Sequence, residues 1–568
     1  MLAVTLAFSA DVIPEANRIT WQGNVGIDGG IPTYAVHDTL TAIDNTGATD
    51  VTAAIQSALN SAPNDTAIVL PAGTFKLSSQ LSISSDNVLR GSGIDSTVLT
   101  VTASHAIAFY AYQAWTTTPR TVSADINKGD TSFTLSSAPT ETIGVGMKVK
   151  LYENNDSDLV AGLENAAHTK SRTQWVEITA VSGTTYEFTP PAYTNYNTAD
   201  SASVTFTWLS GSPNENFKNW AGIEDMTITN SNASSASIVQ FGFASNCWMR
   251  NVKTINGGVS HVAPWDSYRC EIRDCWFSGI LPPITSSRGY CIQFGTPNTP
   301  NTPASTSALL MEGCIVEGTR GGVILGYGSS GNVIGYNYFV DIVDEVATIQ
   351  KPDISIHSSF PTQNLIEGNF CTRMYADMYH GNAHYNHFVR NWAKGADSSQ
   401  NKESALTSVE IDYQHRNYTV AGNVLGYSGI TSYVSGLGSP GTSFYEEYVP
   451  NAASSYGKSY RAFMLGYNSE AGGTSNADTE VRNTLLRKGN YNYVDGAIPA
   501  GEALGVDTIA DSYYLTSSPP HVVDPTNPSM EDTDLPAGNW YINGAVGSPP
   551  AQIKRKTSPR QIRGILAR

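Results

Sequence analysis

Histidines and carboxylates recur just before three consecutive copies of a short sequence unit. These copies begin at Asn364, Asn386 and Tyr418. Aligned on them, the polar residues form two predicted columns, of His357, His380 and Asp412 and of Asp353, Asp377 and Glu410. Because neighbouring strands lie about 4.8 Å apart, the sequence predicts one cluster of titratable groups.

Such a cluster supports three kinds of chemistry. Two carboxyl groups, one protonated and one ionised, can hydrolyse a glycosidic bond. A histidine beside a carboxylate can act as a general base near neutral pH, as the elimination of a uronate requires. Histidine and carboxylates can also hold a divalent cation such as calcium. The alternative is a polar ladder that only satisfies turns. The catalytic candidates are His357, Asp377, His380, Glu410 and Asp412, and the metal candidates are Asp353 and Asp377.

Aromatic and basic side chains lie in the same stretch of sequence. Aromatic faces beside polar groups suit the binding of sugar rings, although such residues can also be part of a core. An arginine there can bind an anion or pair with acidic side chains. The candidates for substrate binding are Tyr375, Tyr379, His384, Arg390, Trp392 and Tyr413.

The elements that must position these residues follow from a six-residue unit that returns between Asn246 and Asn423. Its starts are separated by 23, 44, 19, 32, 22 and 32 residues. Each copy is a short β-type run ending in Asn, Asp or Gly, residues that tolerate left-handed turns. Repeats at about 20–50 residues are typical of solenoids. The pattern therefore predicts a parallel β-solenoid in which Asn332, Asn364 and Asn386 stack at equivalent corners.

A helix and two turns near the start of the chain add a family resemblance. Asp50 precedes VTAAIQSALNSA, an apolar-striped helix that can cap the open end of a solenoid, and the strands that follow turn at PAG and GSG. The helix, PAGTF and LRGSG resemble the start of the pectate-lyase-like superfamily, over residues 40–105 and more loosely 215–430. The resemblance implies an all-β, right-handed parallel β-helix. That superfamily includes lyases, hydrolases, epimerases and phage tailspikes, so it implies a glycan without naming a reaction. ITWQGNVGIDGGIP and residues 357–391 also resemble uncharacterised secreted bacterial β-helix proteins.

Composition changes along the chain predict five segments. A short apolar start reads as a truncated export signal, a small antiparallel β module interrupts the repeats, and the end is rich in loops with a basic tail. The segments are 1–10 (export signal), 11–120 (N-terminal cap and first coils), 121–212 (inserted module), 213–430 (central β-helix) and 431–568 (C-terminal cap and tail).

Charge and cysteine usage limit the partners. Lys and Arg number 33 against 50 Asp and Glu, a net charge of −17, which disfavours nucleic acid and anionic membranes. No apolar run is long enough to span a membrane. No CxxC pair occurs, and Cys247 and Cys270 share an offset, which predicts adjacent buried thiols or a disulfide. The sequence does not determine an oligomeric state.

Two hypotheses of function follow. The first is a secreted polysaccharide-degrading enzyme, a glycoside hydrolase or a polysaccharide lyase, that acts on an extended glycan along the β-helix face. The second is a non-catalytic, tailspike-like surface protein that binds or adheres to glycans. Failure to release sugars, with retained binding, would favour the second.

Overall fold

The computed structural model describes residues 11–110, 114–115, 119–140, 142–156, 169–208, 217–232, 234–285, 287–295, 304–427, 429–437, 447–448, 460–468, 477–505 and 507–516. The predicted export signal at residues 1–10 and the basic tail lie outside these residues. No helix among the described residues is long and apolar enough to cross a membrane.

Parallel strands stack into a coil, so the parallel β-helix is confirmed. Within the described residues the largest sheet, called the long sheet, has 22 strands in two adjacent tracks, and two strands, at residues 222–230 and 248–257, pair in both. Its strands are Ala35–Thr39, Thr46–Asp50, Thr66–Val69, Gly73–Leu77, Asn87–Arg90, Thr97–Val101, Gly222–Asn230, Trp248–Gly257, Glu271–Arg273, Trp276–Ile280, Leu310–Glu312, Ile315–Glu317, Val333–Gly335, Tyr338–Val340, Leu365–Glu367, Phe370–Cys371, His387–Val389, Trp392–Ala393, Thr419–Ala421, Val424–Leu425, Leu486–Lys488 and Tyr491–Asn492.

A third track completes each coil, and a short fourth track lies at one corner. The third track, called the eleven-strand sheet, consists of Leu81–Ser82, Ile107–Tyr110, Ser237–Gly242, Ser260–Trp265, Tyr290–Gln293, Gly321–Leu325, Ile354–Ile356, Met374–Ala376, Leu406–Ile411, Glu447–Tyr448 and Tyr460–Leu465. The corner sheet consists of Lys218–Asn219, Ala244–Ser245, Ser267–Tyr268 and Thr306–Ser307. Parallel pairing continues beyond residue 430, to Tyr491–Asn492.

A separate antiparallel sheet is inserted in sequence between the first coils and the strand Gly222–Asn230, which itself pairs with those first coils. Its strands are Ala114–Trp115, Arg120–Thr121, Ser132–Thr134, Lys148–Tyr152, Thr173–Ser182, Thr185–Thr189 and Ser203–Trp208. The described helices are short: Thr52–Ser61, Ile430–Gly436 and Thr479–Thr484, with 3₁₀ turns at Glu15–Asn17, Thr198–Asp200, Ser398–Gln400 and Ala500–Glu502. The predicted segment boundaries themselves stay a prediction.

The first helix packs on the core of the first coils, as the capping hypothesis requires. Ile55 and Leu59 are fully buried in the same apolar cluster as Leu81, a strand residue of the first coils. Val, Ile, Leu and Phe side chains that point inward along the strands fill the rest of this cluster.

Buried asparagines stack at one corner of the coil. The Oδ1 atom of Asn364 accepts the backbone N–H and the side-chain amide of Asn332 at 3.0 and 2.9 Å. Asn386 accepts both groups of Asn364 in the same way, at 3.2 and 2.9 Å. The predicted stacking of these three residues is therefore confirmed.

A second column of asparagines stacks at the corner between the two tracks of the long sheet. Each Oδ1 accepts the backbone N–H of the preceding coil's asparagine at 2.8–3.1 Å and its amide at 2.9–3.0 Å. The members are Asn337, Asn369, Asn391, Asn423 and Asn490. Because all are fully buried, every coil depends on the next for its hydrogen bonds.

The backbone conformation corrects the alignment of the repeat units. In both columns the residue before each asparagine has positive φ, as do Asn246, Arg269 and Gly313 in the earlier coils. Cys247 and Cys270, not the residues before them, therefore occupy the position of Asn332. Sequence letters alone do not distinguish a turn asparagine with positive φ from a ladder asparagine one residue later.

Four cysteines fill the same corners with thiols: Cys247 and Cys270 in the row of Asn332, and Cys275 and Cys314 in the row of Asn337. All six are buried and unpaired by disulfides, and Cys270 lies within hydrogen-bonding reach of Cys247. The prediction of neighbouring thiols inside the solenoid agrees with this arrangement.

Segments from both ends of the described chain lie side by side over the long sheet. Asp11 bridges to Thr508, and the hydroxyl of Tyr513 donates to Asp11. The backbone N–H of Tyr513 donates to Glu367 in the sheet, and Trp21 packs nearby at 6.5 Å from the Tyr513 ring. These two segments, which contain residues 11–21 and 508–513, are called the terminal strap. They bury the outward side chains of several coils.

We expect Asn369→Ala to destabilise the protein more than any surface asparagine substitution. It removes the acceptor of the Asn337 backbone N–H and the donor to the Ile334 carbonyl. Each buried group left unpaired should cost roughly 1–3 kcal/mol. Asn483→Ala, at an exposed site with one local bond, is the matched control in urea unfolding. Equal unfolding midpoints for the two variants would contradict the role of the ladder.

Candidate functional site

Three of the predicted site residues share one row of the eleven-strand sheet. Ile356, Ala376 and Ile411 are paired across neighbouring strands, so His357, Asp377 and Asp412 each stand one position beyond them. Ile356, Ala376 and Ile411 point inward and pack in the core, while the polar residues that follow them lie where the strands end. The row therefore joins one imidazole and two carboxyl groups in consecutive coils.

The two predicted columns are wrong in register. Asp353 stands opposite Arg373, because Ile354 pairs with Met374, and it does not share a row with Asp377. His380 lies in the turn after its strand, outside the row. The columns were predicted by counting residues back from the start of each repeat unit. The corner segments that precede the units differ in length, so this count put some residues in the wrong row.

His357 and Asp377 form the central pair of the site. Nδ1 of His357 lies 2.9 and 2.8 Å from the two carboxylate oxygens of Asp377. The His357 side chain is 25% exposed and the Asp377 side chain 9% exposed, so only the imidazole reaches solvent appreciably. Burial opposes the charged imidazolium, but the attraction of Asp377 outweighs burial and raises the pKa of His357. Burial alone would raise the pKa of Asp377. The charge and hydrogen bond of His357 outweigh burial, so the pKa of Asp377 is lowered.

His380 and Tyr379 complete the open part of the cluster. The ring of His380 lies edge-on to His357, with centroids 5.0 Å apart, and edge-on to Tyr379 at 4.6 Å. Tyr379 is 47% exposed, and its backbone N–H donates to Asp377. Two imidazoles and a phenol thus face the surface together.

A buried polar chain lies directly behind this open part. Arg373 forms an ion pair with Glu410, and its guanidinium lies 4.5 Å from the ring centre of Tyr375. The hydroxyl of Tyr375 donates to Oδ2 of Asp412 at 3.0 Å. The carboxyl groups of Glu410 and Asp412 lie within hydrogen-bonding reach of each other, and both residues are fully buried.

One proton must be shared within that carboxyl pair. Arg373 stabilises the negative charge on Glu410. Burial, and then repulsion by Glu410 and Asp377, raises the pKa of Asp412 well above its usual range. Asp412 is therefore a neutral acid that can donate to Glu410, whereas Asp377 is ionised.

His415 supports the pair from behind. Its Nε2 lies 3.0 Å from the Asp377 carbonyl oxygen and its Nδ1 2.9 Å from the hydroxyl of Tyr418. Burial lowers the pKa of His415 to about 4, so the ring is neutral.

The sequence analysis missed a group of cations beside the site. Arg320 donates to the hydroxyl of Tyr290 at 3.1 Å, and Lys351 lies 3.5 Å from Asp344. The charge of Lys351 acts on His357, and its side chain is 30% exposed. A signal was present: a basic residue stands one to three positions before the strands that begin at residues 321, 354 and 374.

Three predicted substrate-binding residues are placed away from the site. Arg390 is buried under the terminal strap and donates to the carbonyls of residues 509 and 510, so it cannot line a substrate path. Trp392 lies on the long sheet, where its Nε1 donates to the Gly426 carbonyl. His384 is buried at the corner against Phe360, and burial lowers its pKa to about 3. Tyr413 follows Asp412 and is half-buried.

The described residues provide no set of side chains arranged to bind a metal ion. Among the described residues no group of three or more His, Cys, Asp or Glu side chains could hold a metal ion. Oδ2 of Asp353 accepts the backbone N–H groups of Thr372 and Arg373, both at 2.7 Å, and burial raises its pKa to about 7. The carboxylate of Asp377 faces His357. Calcium dependence stays a prediction.

We expect Asp412→Asn to stabilise the protein increasingly as the pH rises. A carboxyl group whose pKa is raised on folding contributes stability below its unfolded pKa, and that stability is lost as the pH rises through the folded pKa. The amide keeps an acceptor for Tyr375 without the proton requirement. Urea unfolding at pH 4.5 and 8.5 measures the difference. A variant less stable than the parent at the higher pH would contradict a protonated Asp412.

One protein-family model matches part of the chain. Residues 41–280 match the family model described as Rhamnogalacturonase A/epimerase, pectate lyase-like. A comparison with curated proteins gave no match.

Several solved structures match this chain at low sequence identity. The Gp54 tailspike of Acinetobacter baumannii bacteriophage AP22, solved with A. baumannii capsular saccharide, is 12% identical with a TM-score of 0.46, and the match covers 69% of this chain and 57% of that chain. PfbA, a surface adhesin of Streptococcus pneumoniae, is 11% identical with a TM-score of 0.38, covering 69% and 85%. The A-module of the Azotobacter vinelandii mannuronan C-5 epimerase AlgE4 is 11% identical with a TM-score of 0.31, covering 68% and 88%.

The parallel coil and the match at residues 41–280 together confirm the predicted resemblance to the pectate-lyase-like superfamily.

Proposed function

We propose that this chain is a secreted polysaccharide lyase that cleaves a uronate-containing glycan on the outer face of the eleven-strand sheet of a right-handed β-helix. The observation that carries the proposal is the His357–Asp377 pair. Its imidazole is 25% exposed, whereas Glu410 and Asp412 are fully buried. Groups that reach a substrate are thus imidazoles and phenols, which suit proton transfer better than two-carboxylate hydrolysis.

His357 is the proposed base. Nδ1–H of His357 donates a hydrogen bond to the Asp377 carboxylate, which leaves Nε2 as the basic nitrogen. Neutral Nε2 takes the proton from the carbon next to the uronate carboxylate. The C–H electron pair forms a carbon–carbon double bond, and the glycosidic C–O bond at the next carbon breaks. His380, 5.0 Å from His357 between ring centres, donates the proton that the leaving oxygen takes up.

Lys351 is the proposed partner of the uronate carboxylate. Charge develops on that carboxylate as the adjacent C–H bond breaks, and a fixed cation stabilises it. The Lys351 side chain is partly exposed, and its charge already influences His357. Tyr379, two residues after Asp377 and 47% exposed, offers its ring to a sugar.

We expect His357→Ala to reduce lyase activity by roughly 10²–10⁴-fold, because it removes the general base. The measurement is the ultraviolet absorbance of the unsaturated product on a panel of uronate polysaccharides. His37→Ala is the matched control, since His37 is exposed on a strand of the long sheet. Both variants should keep the parental melting temperature within a few degrees.

Other outcomes point to the alternatives. New reducing ends without new absorbance would identify a hydrolase, with Asp377, Glu410 and Asp412 as the residues to substitute next. Binding without any product would favour the non-catalytic glycan-binding hypothesis, in which the buried carboxyl groups are structural. Full absorbance from His357→Ala would exclude His357 as the base.

The pH profile tests the pair as a unit. Because Asp377 raises the pKa of His357, the neutral base should accumulate only above the ordinary histidine pKa of about 6.5. Activity should therefore increase as the pH rises through this raised value. Asp377→Asn should move the inflection to lower pH and reduce the maximal rate. An unchanged inflection would show that His357 is not the titrating group.

A further inference from the structure

A cavity of about 550 Å³ lies between the terminal strap and the antiparallel sheet. Strap residues that include Glu15, Arg18 and Ile19 form one side of it. Lys128 and Tyr193, which lie in loops between strands of the antiparallel sheet, belong to the other side. Glu15 is exposed, so a small molecule can reach the cavity from solvent. The volume lies within the range of small-molecule binding sites.

Lys128 brings a positive charge to this cavity that the described chain compensates poorly. Its Nζ donates to the Ala16 carbonyl at 2.6 Å, and no carboxylate of the described residues forms an ion pair with it. Burial and repulsion by Arg18 lower the pKa of Lys128 to about 8, and Glu15 is the carboxylate that opposes this shift. Lys128 is therefore charged at neutral pH and lacks a close counterion.

Arg18, which also lines the cavity, has a donor without an acceptor. Its Nη2 pairs with Asp11 at 3.2 Å, and its guanidinium lies 5.6 Å from the ring centre of Tyr513. Nε of Arg18 is buried and bonds to no described atom, and the buried hydroxyl of Tyr193 also has no hydrogen-bond partner. Buried polar groups are costly to leave unpaired, so a ligand that supplies acceptor oxygens would be stabilised here.

The lining favours an acidic small molecule over a neutral one. Arg18 and Lys128 supply two positive charges to the described lining, against the single carboxylate of Glu15. An oxyanion can accept charge-assisted hydrogen bonds from both cations. Ile19 and Pro191 add apolar surface, on which the body of a sugar ring can pack. Inorganic phosphate shares the charge of such a ligand but lacks the ring.

We propose that this cavity is an anion site in which Arg18 and Lys128 bind the carboxylate of a small acidic sugar. None of its described lining residues belongs to the row of His357, and the inference does not depend on the proposed lyase reaction. The two cations come from different segments of the chain. A bound anion therefore holds the terminal strap against the antiparallel sheet.

Calorimetry on the full chain at pH 7 measures the binding of galacturonate, inorganic phosphate and glucose. A Lys351→Met background removes the cation that could bind a carboxylate at the proposed active site. We expect galacturonate to bind, phosphate to bind more weakly and glucose, which has no charge, not to bind. Lys128→Met should weaken galacturonate binding roughly tenfold, because a charge-assisted hydrogen bond is lost. Lys170→Met is the matched control, since Lys170 lies over the Tyr152 ring and outside the described lining.

Glu15→Gln is the opposite test. It removes the carboxylate that repels the ligand, so galacturonate binding should tighten about twofold, a gain that a folding defect cannot produce. Equal galacturonate binding in Lys128→Met and Lys170→Met overturns the site, as does the absence of binding by both anions. Phosphate binding as tight as that of galacturonate overturns the assignment to an acidic sugar.

Discussion

The hydrogen bonds between stacked asparagines constrain everything else in this molecule. A ladder asparagine satisfies the backbone and side chain of the preceding coil and needs the following coil for its own groups. Inside a protein such groups are costly to leave unpaired, so only one register satisfies all of them. The residue before each asparagine adopts positive φ, which turns the chain at the same point in every coil. The corners therefore fix the position of each strand along the axis of the coil.

The geometry of the site follows from these fixed strand positions. Strands of three coils end together, and the residue just beyond each end meets its neighbours across one strand spacing. This places His357 against Asp377 and Asp377 near Asp412. The proximity of these groups shifts their pKa values in opposite directions: His357 lowers the pKa of Asp377, whereas burial and the repulsion of Glu410 and Asp377 raise the pKa of Asp412. No loop rearrangement is needed to assemble the pair.

The solenoid, the stacked corner asparagines and the cluster around His357 could be predicted from spacing, because a repeat reports which coils are neighbours. The exact partners could not. The corners between the repeat unit and the eleven-strand sheet vary in length, so counting back from Asn364 or Asn386 placed Asp353 in the wrong row. Arg390 and Trp392 were assigned to the site because they are close in sequence, yet in a coil a few residues suffice to move to another face. Burial of Arg390 depends on residues 509 and 510, which no local pattern indicates.

The terminal strap has a consequence for the order of folding. Coils can add one after another as the chain emerges, because each needs only its neighbour. The strap, however, joins Asp11 to Thr508, so the outer cover of the long sheet cannot close until nearly the whole described chain exists. Until then Glu367 and the outward residues around it stay open to solvent and to proteases. The last contacts to form thus involve one of the earliest described segments, and loss of either segment of the strap would reopen the same surface.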